Sequence, residues 1–293
     1  MRPVDFWQHI SFTETDQLID IASIAEEVGF AGLGIGDHFV TPAQIRSRYP
    51  YAADGAVWWD PGVAWPEPWA LASVLASHTQ RLRFVTSVYV LPSRDVFSAA
   101  KAVSTAACFS GNRVILGAAV GWMADEFELT GQDFHTRGRR MDEMLEVMRK
   151  LFAGGMVEHH GTYFDFPPVQ MSPAPSAPVP VYTGGDSEPA LRRAARHDGW
   201  LVPGPYHPDH VLELLARLNG FRRQAGTMDR DYAVIVGLSV AHDVDTFKRL
   251  RDAGVTGIFK VPWYYEGRPE STIEFKREDL ERFAEQFIAP LRE

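Results

Sequence analysis

The feature that most constrains this chain is a joint that it uses twice. In Glu26-Glu27-Val28-Gly29-Phe30-Ala31-Gly32-Leu33, one glycine follows an amphipathic stretch and a second, three residues later, enters an apolar run. Arg251-Asp252-Ala253-Gly254-Val255-Thr256-Gly257-Ile258 repeats the arrangement. The first glycine suits the left-handed residue that stops a helix. The run after it is apolar without alternation, as parallel strands buried on both faces are. Joints of this kind favour an α/β chain closed into a (β/α)8 TIM barrel over an open sheet.

Apolar runs at 4–7, 33–36, 82–90, 114–120, 180–182, 200–202, 233–240 and 258–261 supply eight candidate strands. Between them lie stripes at helical spacing, such as Leu18, Ile21, Ala22, Ala25 and Val28, or Met141, Met144, Leu145, Met148, Leu151 and Phe152 ending at Gly154-Gly155. Further stripes follow Ser187 and run through Val211 to Leu218, Phe247 to Leu250 and Leu280 to Phe287. Two connections are long and proline-stiffened: 39–69 after the second strand and 154–178 before the fifth. Such loops in a compact domain are lids or binding loops. The first leaves from the C-terminal end of a strand, the face where barrel active sites open. With no Gly/Ser-rich linker and no shift of composition, 1–293 reads as one domain.

Composition narrows the function. With 45% hydrophobic and 23% charged residues the chain has material for a core, which excludes disorder. Cys108 is the sole cysteine, so neither an internal disulfide nor a cysteine metal cluster is available, and a reducing compartment is expected. A formal charge of −9 with no basic run makes a poor nucleic-acid partner. Met1-Arg2-Pro3-Val4-Asp5 lacks the apolar core of a signal peptide, and no stretch approaches the length of a membrane span. The expected location is cytoplasmic and the expected partner a small molecule, with no nucleic acid and no membrane.

Five groups of residues stand where chemistry could occur. Asp37-His38 ends the second strand, where a carboxylate and an imidazole can act as acid and base; a loop-capping aspartate beside a surface histidine has the same appearance. Thr86 and Ser87 put hydroxyls into the apolar third strand, either facing the mouth or satisfied within the sheet. Gly117-Ala118-Ala119-Val120-Gly121-Trp122 ends the fourth strand in small residues, which admit a flat ligand or tight packing alike. Thr183-Gly184-Gly185-Asp186-Ser187 leads into a helix whose free N–H groups suit a phosphate, although a plain βα turn reads the same. Trp58, Trp59, Trp65, Trp69, Trp263, Tyr264 and Tyr265 fall in mouth loops, as pocket lining or as lid and interface packing. No metal site is expected: His159-His160 lacks ligand spacing and reads as a solvated loop pair, and Cys108 reads as a buried structural residue.

In order along the chain, these segments resemble the luciferase-like monooxygenase superfamily, and within it the branch that uses the deazaflavin coenzyme F420. The resemblance is carried by Ala25 to Phe30 leading to Gly36-Asp37-His38, by Arg83 to Pro92, by Gly121-Trp122-Met123-Ala124-Asp125-Glu126-Phe127, and by Gly131 to Phe134 with Arg137, Arg140, Asp142 and Glu143. The Gly184-Gly185 turn and Gly199-Trp200 complete it. It implies a homodimeric barrel with the cofactor ring across the mouth. Asp37 and His38 would lie near the reactive face, and Thr86, Ser87 and Val88 would back the ring through a non-proline cis peptide, placed at Ser87–Val88. Ala119, Gly121 and Trp122 would neighbour it, and Gly184, Gly185 and Ser187 would meet its phosphate with help from Arg137. Two departures stand out: the 117–121 run is less glycine-rich than in relatives, and Ser110-Gly111-Asn112-Arg113 carries Asn where Gly is common, a residue that tolerates the left-handed conformation.

The resulting expectation is an F420-dependent oxidoreductase that moves a hydride between the deazaflavin and a small organic substrate. His38 would carry the proton and Asp37 would orient it. The alternative is an FMN-dependent monooxygenase that uses oxygen and reduced flavin from a separate reductase. A non-catalytic ligand carrier and a metal-dependent hydrolase complete the field, the last without ligands.

Overall fold

The computed structural model describes residues 3–240, 243–268 and 271–292. Met1 and Arg2, part of the stretch read for a signal peptide, lie outside them. Among the described residues eight parallel strands close on themselves. They are β1 (Asp5–His9), β2 (Gly32–Ile35), β3 (Arg83–Thr86) continued by the short β4 (Tyr89–Val90), and β5 (Val114–Ala119). After an antiparallel hairpin of β6 (Met156–His160) and β7 (Asp165–Gln170) come β8 (Val181–Gly184), β9 (Gly199–Tyr206), β10 (Ala233–Leu238) and β11 (Gly257–Lys260). β11 pairs back to β1, with Asp5 opposite Gly257 and Gln8 opposite Lys260, which closes the barrel. Helices α1 (Leu18–Val28), α2 (Pro68–Ser77), α3 (Val96–Phe109), α4 (Ala124–Leu129) and α5 (Arg137–Phe152) cover the first half of the outer face, and α6 (Glu188–Ala194), α7 (Pro208–Ala225), α8 (Val244–Asp252) and α9 (Ile273–Phe283) the second. This is the (β/α)8 TIM barrel that the joints require. Gly29 stops α1 at φ 98° and Asn112 takes φ 60° in the turn before β5.

The barrel interior explains the glycines of β2. Trp7, Val85, Ile115, Tyr182, Leu201, Ile235 and Phe259 form one inner cluster, to which β2 contributes no side chain. A Cβ on Gly32 would lie 2.3 Å from the Trp7 ring, and one on Gly34 would lie 2.6 Å from Phe259. Large rings from β1 and β11 therefore occupy the space that β2 leaves, while Leu33 and Ile35 join the outer layer against the helices.

Three local expectations change. The 82–90 run divides into β3 and β4 at a cis Ser87–Val88 peptide, at the position expected from the resemblance. The 154–178 insertion is not a plain loop, because 156–170 folds into the β6–β7 hairpin. That places His159-His160 on a strand, where successive side chains face opposite ways. His159 is buried 3.3 Å from Glu143, and only His160 is exposed, beside Asp165. No helix among the described residues is long and apolar enough to cross a membrane.

Candidate active site

The C-terminal ends of the strands open into a cavity of about 520 Å³. Asp37, His38, Ser87, Val88, Ala119, Gly121, Trp122, Arg137, Gly184, Gly185 and Ser187 all line it. Thr86 does not. Its buried hydroxyl donates to the Gly117 carbonyl at 2.8 Å and accepts the Gly117 N–H at 2.9 Å. A Cβ on Gly117 would fall 1.8 Å from the Thr86 carbonyl oxygen, so the glycine is there for close approach of β3 and β5. Of the two roles open to Thr86, the structure gives it the one within the sheet.

The histidine at the mouth has a carboxylate partner, and it is not Asp37. His38 Nδ1 lies 3.2 Å from both oxygens of Glu126, in the first turn of α4. Glu126 also accepts the Phe39 N–H at 2.8 Å, so it fixes the backbone just after His38 as well as its ring. A carboxylate on Nδ1 sets the tautomer and leaves Nε2 for chemistry. Asp37 is buried at the cavity but turned to other partners, 2.7 Å from the Arg94 guanidinium and accepting the Val90 N–H at 2.9 Å. Burial raises its carboxyl above the usual carboxylate range, against the pull of Arg94. Asp37 thus joins the end of β2 to β4, and the orientation of His38 falls to Glu126. Glu126 was within the quoted 121–127 stretch; its signal was an acidic residue in the first turn of the helix after a strand end.

His9 is a second residue that the sequence reading passed over. It lines the cavity at the end of β1, and its Nε2 donates to the Ser87 carbonyl at 3.4 Å. Its Nδ1 accepts the Ser11 N–H at 3.4 Å. Burial lowers its pKa to about 4, so it is neutral at neutral pH and steadies the cis-peptide floor without carrying charge.

The long segment between β2 and α2 forms a strap across the mouth. One buried carboxylate, Asp125 of α4, accepts from Arg46 N (3.1 Å), Arg46 Nε (3.0 Å), Ser47 N (3.0 Å) and Ser47 Oγ (2.7 Å). Burial alone would raise the Asp125 pKa, but the Ser47 hydroxyl and the Arg46 donors hold it well below the usual range. Farther along, Tyr51 reaches the strand end at Gly204. The aromatic residues divide between the two roles open to them. Trp59, Trp65 and Tyr265 line the cavity, Trp58 stacks on Tyr264 with ring centroids 4.7 Å apart, and Trp69 and Trp263 are buried in the barrel wall. Phe12, with φ 60°, sits amid this group, 4.8 Å from Trp58 and 4.9 Å from Trp65.

On the opposite side the floor is bare of bulk. A Cβ on Gly184 would meet the Val88 side chain at 2.9 Å, and Gly185 takes φ 115°. Ser187 caps α6 through the Ala190 N–H at 3.4 Å, and Asp186 accepts the Tyr206 hydroxyl at 2.6 Å. Arg137 donates to the Gly121 carbonyl (3.2 Å) and the Phe134 carbonyl (2.8 Å), and Arg48 donates to the Asp54 carbonyl (3.1 Å). Among the described residues neither arginine forms an ion pair, which leaves positive charge at the rim.

A closed (β/α)8 barrel with a histidine–carboxylate pair at its mouth has the architecture of a barrel enzyme. Residues 4–285 match the family described as luciferase-like monooxygenase, and the chain belongs to this family of oxidoreductases. It is 37% identical over 282 residues to an uncharacterized protein of Mycobacterium tuberculosis, covering 95% of this chain and 97% of that one. It is 29% identical over 277 residues to an F420-dependent glucose-6-phosphate dehydrogenase of Amycolatopsis mediterranei, covering 92% of this chain and 76% of that one. Among solved structures, the coenzyme F420 dependent tetrahydromethanopterin reductase of Methanopyrus kandleri superposes with a TM-score of 0.74 at 15% identity over 99% of both chains, a likeness of fold.

Proposed function

We propose that this protein is an F420-dependent oxidoreductase that moves a hydride between the deazaflavin and a small organic substrate. The observation that carries the reading is the His38–Glu126 pair beside a floor of small residues, Ala119 and Gly184. The F420 dependence named for the Amycolatopsis relative supports the choice of cofactor. The residues fit that group. Ser87, Val88, Ala119, Gly121, Trp122 and Gly184 offer a flat surface for the ring, and a side chain at Gly184 would intrude on it. Gly185, Ser187, Arg137 and Arg48 offer N–H groups and positive charge to the phosphate and the anionic tail.

When bound, the deazaflavin supplies two-electron hydride chemistry. The protein supplies the proton. With Nδ1–H held on Glu126, His38 Nε2 takes a proton from a substrate hydroxyl or, once protonated, returns it to a carbonyl oxygen, and Glu126 stabilises the imidazolium either way. Trp59, Trp65 and Trp122, with ring centroids 5.4, 4.9 and 5.9 Å from that of His38, keep water from the exchange. A homodimer is part of the proposal, checked by the mass in solution.

Parallel fluorescence titrations with F420 and with FMN test the reading. Tight F420 and weak FMN binding is expected; the reverse preference would make this a flavin enzyme and overturn it. His38→Ala should leave F420 affinity nearly unchanged and lower turnover by about 10²–10⁴-fold. Turnover within a few-fold of wild type would remove His38 as proton carrier.

A further inference from the structure

The half of the cavity away from the floor says what kind of molecule reaches His38. Its imidazole is enclosed by the indoles of Trp59, Trp65 and Trp122, the last of which also borders the floor, and Phe12 and Tyr265 extend the same wall. The charged groups nearby are paired with one another or are those offered above to the cofactor. Asp37 holds Arg94, and Glu126 holds His38. Arg137, its guanidinium 3.7 Å from the Phe134 ring centroid, and Arg48 are the rim charges that the reading above gives to the cofactor's phosphate and tail. A phosphate dianion brought among three indoles would lose its hydration without gaining a partner cation, a cost of several kcal/mol.

A second observation gives the polarity of the missing partner. Among the described residues the indole N–H groups of Trp59 and Trp65 and the hydroxyl of Ser11 are buried without a hydrogen-bond partner, and all three residues line the cavity. An indole N–H only donates. The group that would satisfy it is therefore an acceptor, and a quaternary ammonium, which aromatic walls otherwise attract, offers none at its charged end. Phe12 adds a third sign. A bulky residue at φ 60° is uncommon, and such conformations gather at ligand clamps.

We infer that the substrate is an uncharged, largely apolar carbonyl compound, an aryl or alicyclic ketone, or the secondary alcohol it interconverts with, rather than a sugar phosphate. The reaction rests on the F420 reading above. The carbonyl carbon gains the hydride from the reduced deazaflavin and its oxygen gains the proton from His38, with both steps reversed for the alcohol. Binding of this chemical class rests on the aromatic wall alone.

The test is calorimetric titration of the full-length protein, with and without F420, using cyclohexanone, acetophenone, glucose 6-phosphate and choline. The ketones should bind at least about tenfold more tightly than glucose 6-phosphate or choline. Trp65→Ala should weaken the ketones by about tenfold, and Trp65→Phe, which keeps a ring but removes the N–H, by a smaller factor. Circular dichroism and melting confirm that both variants fold. Glucose 6-phosphate or choline binding as tightly as the ketones would overturn the inference, as would ketone affinity unchanged in both variants. Ketone binding by a protein that does not bind F420 would support the inference while overturning the proposed reaction. F420 binding without ketone selectivity would do the opposite.

Discussion

His38 takes its orientation from a carboxylate 88 positions further along the chain. Glu126→Gln keeps the shape of that partner and removes its charge, so kcat should fall by about 10–100-fold with cofactor affinity nearly unchanged. If the two act as one unit, adding Glu126→Gln to His38→Ala should cost little beyond His38→Ala alone, which steady-state kinetics of the double variant would show. The mouth position of His38 was legible because strand ends define the mouth. Its partner was not, because Asp37 just after β2 and Glu126 in the first turn of α4 are both acids near the mouth, and only their directions in space send one to Arg94 and the other to the imidazole. His9 gives a separate prediction. An unfolded histidine titrates near 6.5 and the buried one at about 4, so the unfolded chain binds more protons within that window. Stability is therefore full above pH 6.5 and is lost as pH falls towards 4, by about 3 kcal/mol from this group. Urea unfolding at several pH values should show a shallower acid dependence in His9→Asn; an unchanged slope would mean that other groups carry it, such as His197, buried after α6 with its pKa lowered by burial to about 3.

At the scale of elements, the strap and the floor can be disturbed separately. Asp125→Ala removes the acceptor of four hydrogen bonds from Arg46 and Ser47. The strap should then be cut faster by trypsin near Arg46 and Arg48, and KM should rise by about tenfold with kcat changed little. Equal proteolysis of variant and wild type would show that the clasp is held elsewhere. Gly184→Val should instead weaken F420 binding by about tenfold or more, because its Cβ alone would lie 2.9 Å from Val88. The existence of the strap could be read from its length and five prolines, and the glycine turn from its pattern. The β6–β7 hairpin escaped notice because Phe166-Pro167-Pro168 reads as loop, yet a peripheral two-stranded ribbon accepts proline where a central strand does not. The division of 82–90 did not follow from apolar periodicity, and its location came only through the resemblance.

Across the whole molecule, the barrel is filled unequally. Trp7 lies in the inner cluster over the glycines of β2, so Trp7→Ala should lower the unfolding free energy by about 3–5 kcal/mol. Gly32→Ala should also destabilise, by about 1–3 kcal/mol, because its new methyl would lie 2.3 Å from the same indole and 2.4 Å from the Arg83 carbonyl. Chemical denaturation would measure both, and a Gly32→Ala protein as stable as wild type would mean that both the Trp7 ring and the β2–β3 backbone at Arg83 give way at little cost. Strand number and closure were legible because each strand bears its own apolar run, whereas which rings fill the vacancy at β2 depends on pairings between distant strands. The strap has a different relation to the whole. Tyr49, Tyr51, Trp58, Trp59 and Trp65 all come from one unbroken segment outside the barrel, while the floor and the His38–Glu126 pair belong to strand ends and α4. Descent can therefore rewrite much of what this barrel accepts by editing one stretch of gene, leaving inheritance of the scaffold and its chemistry undisturbed.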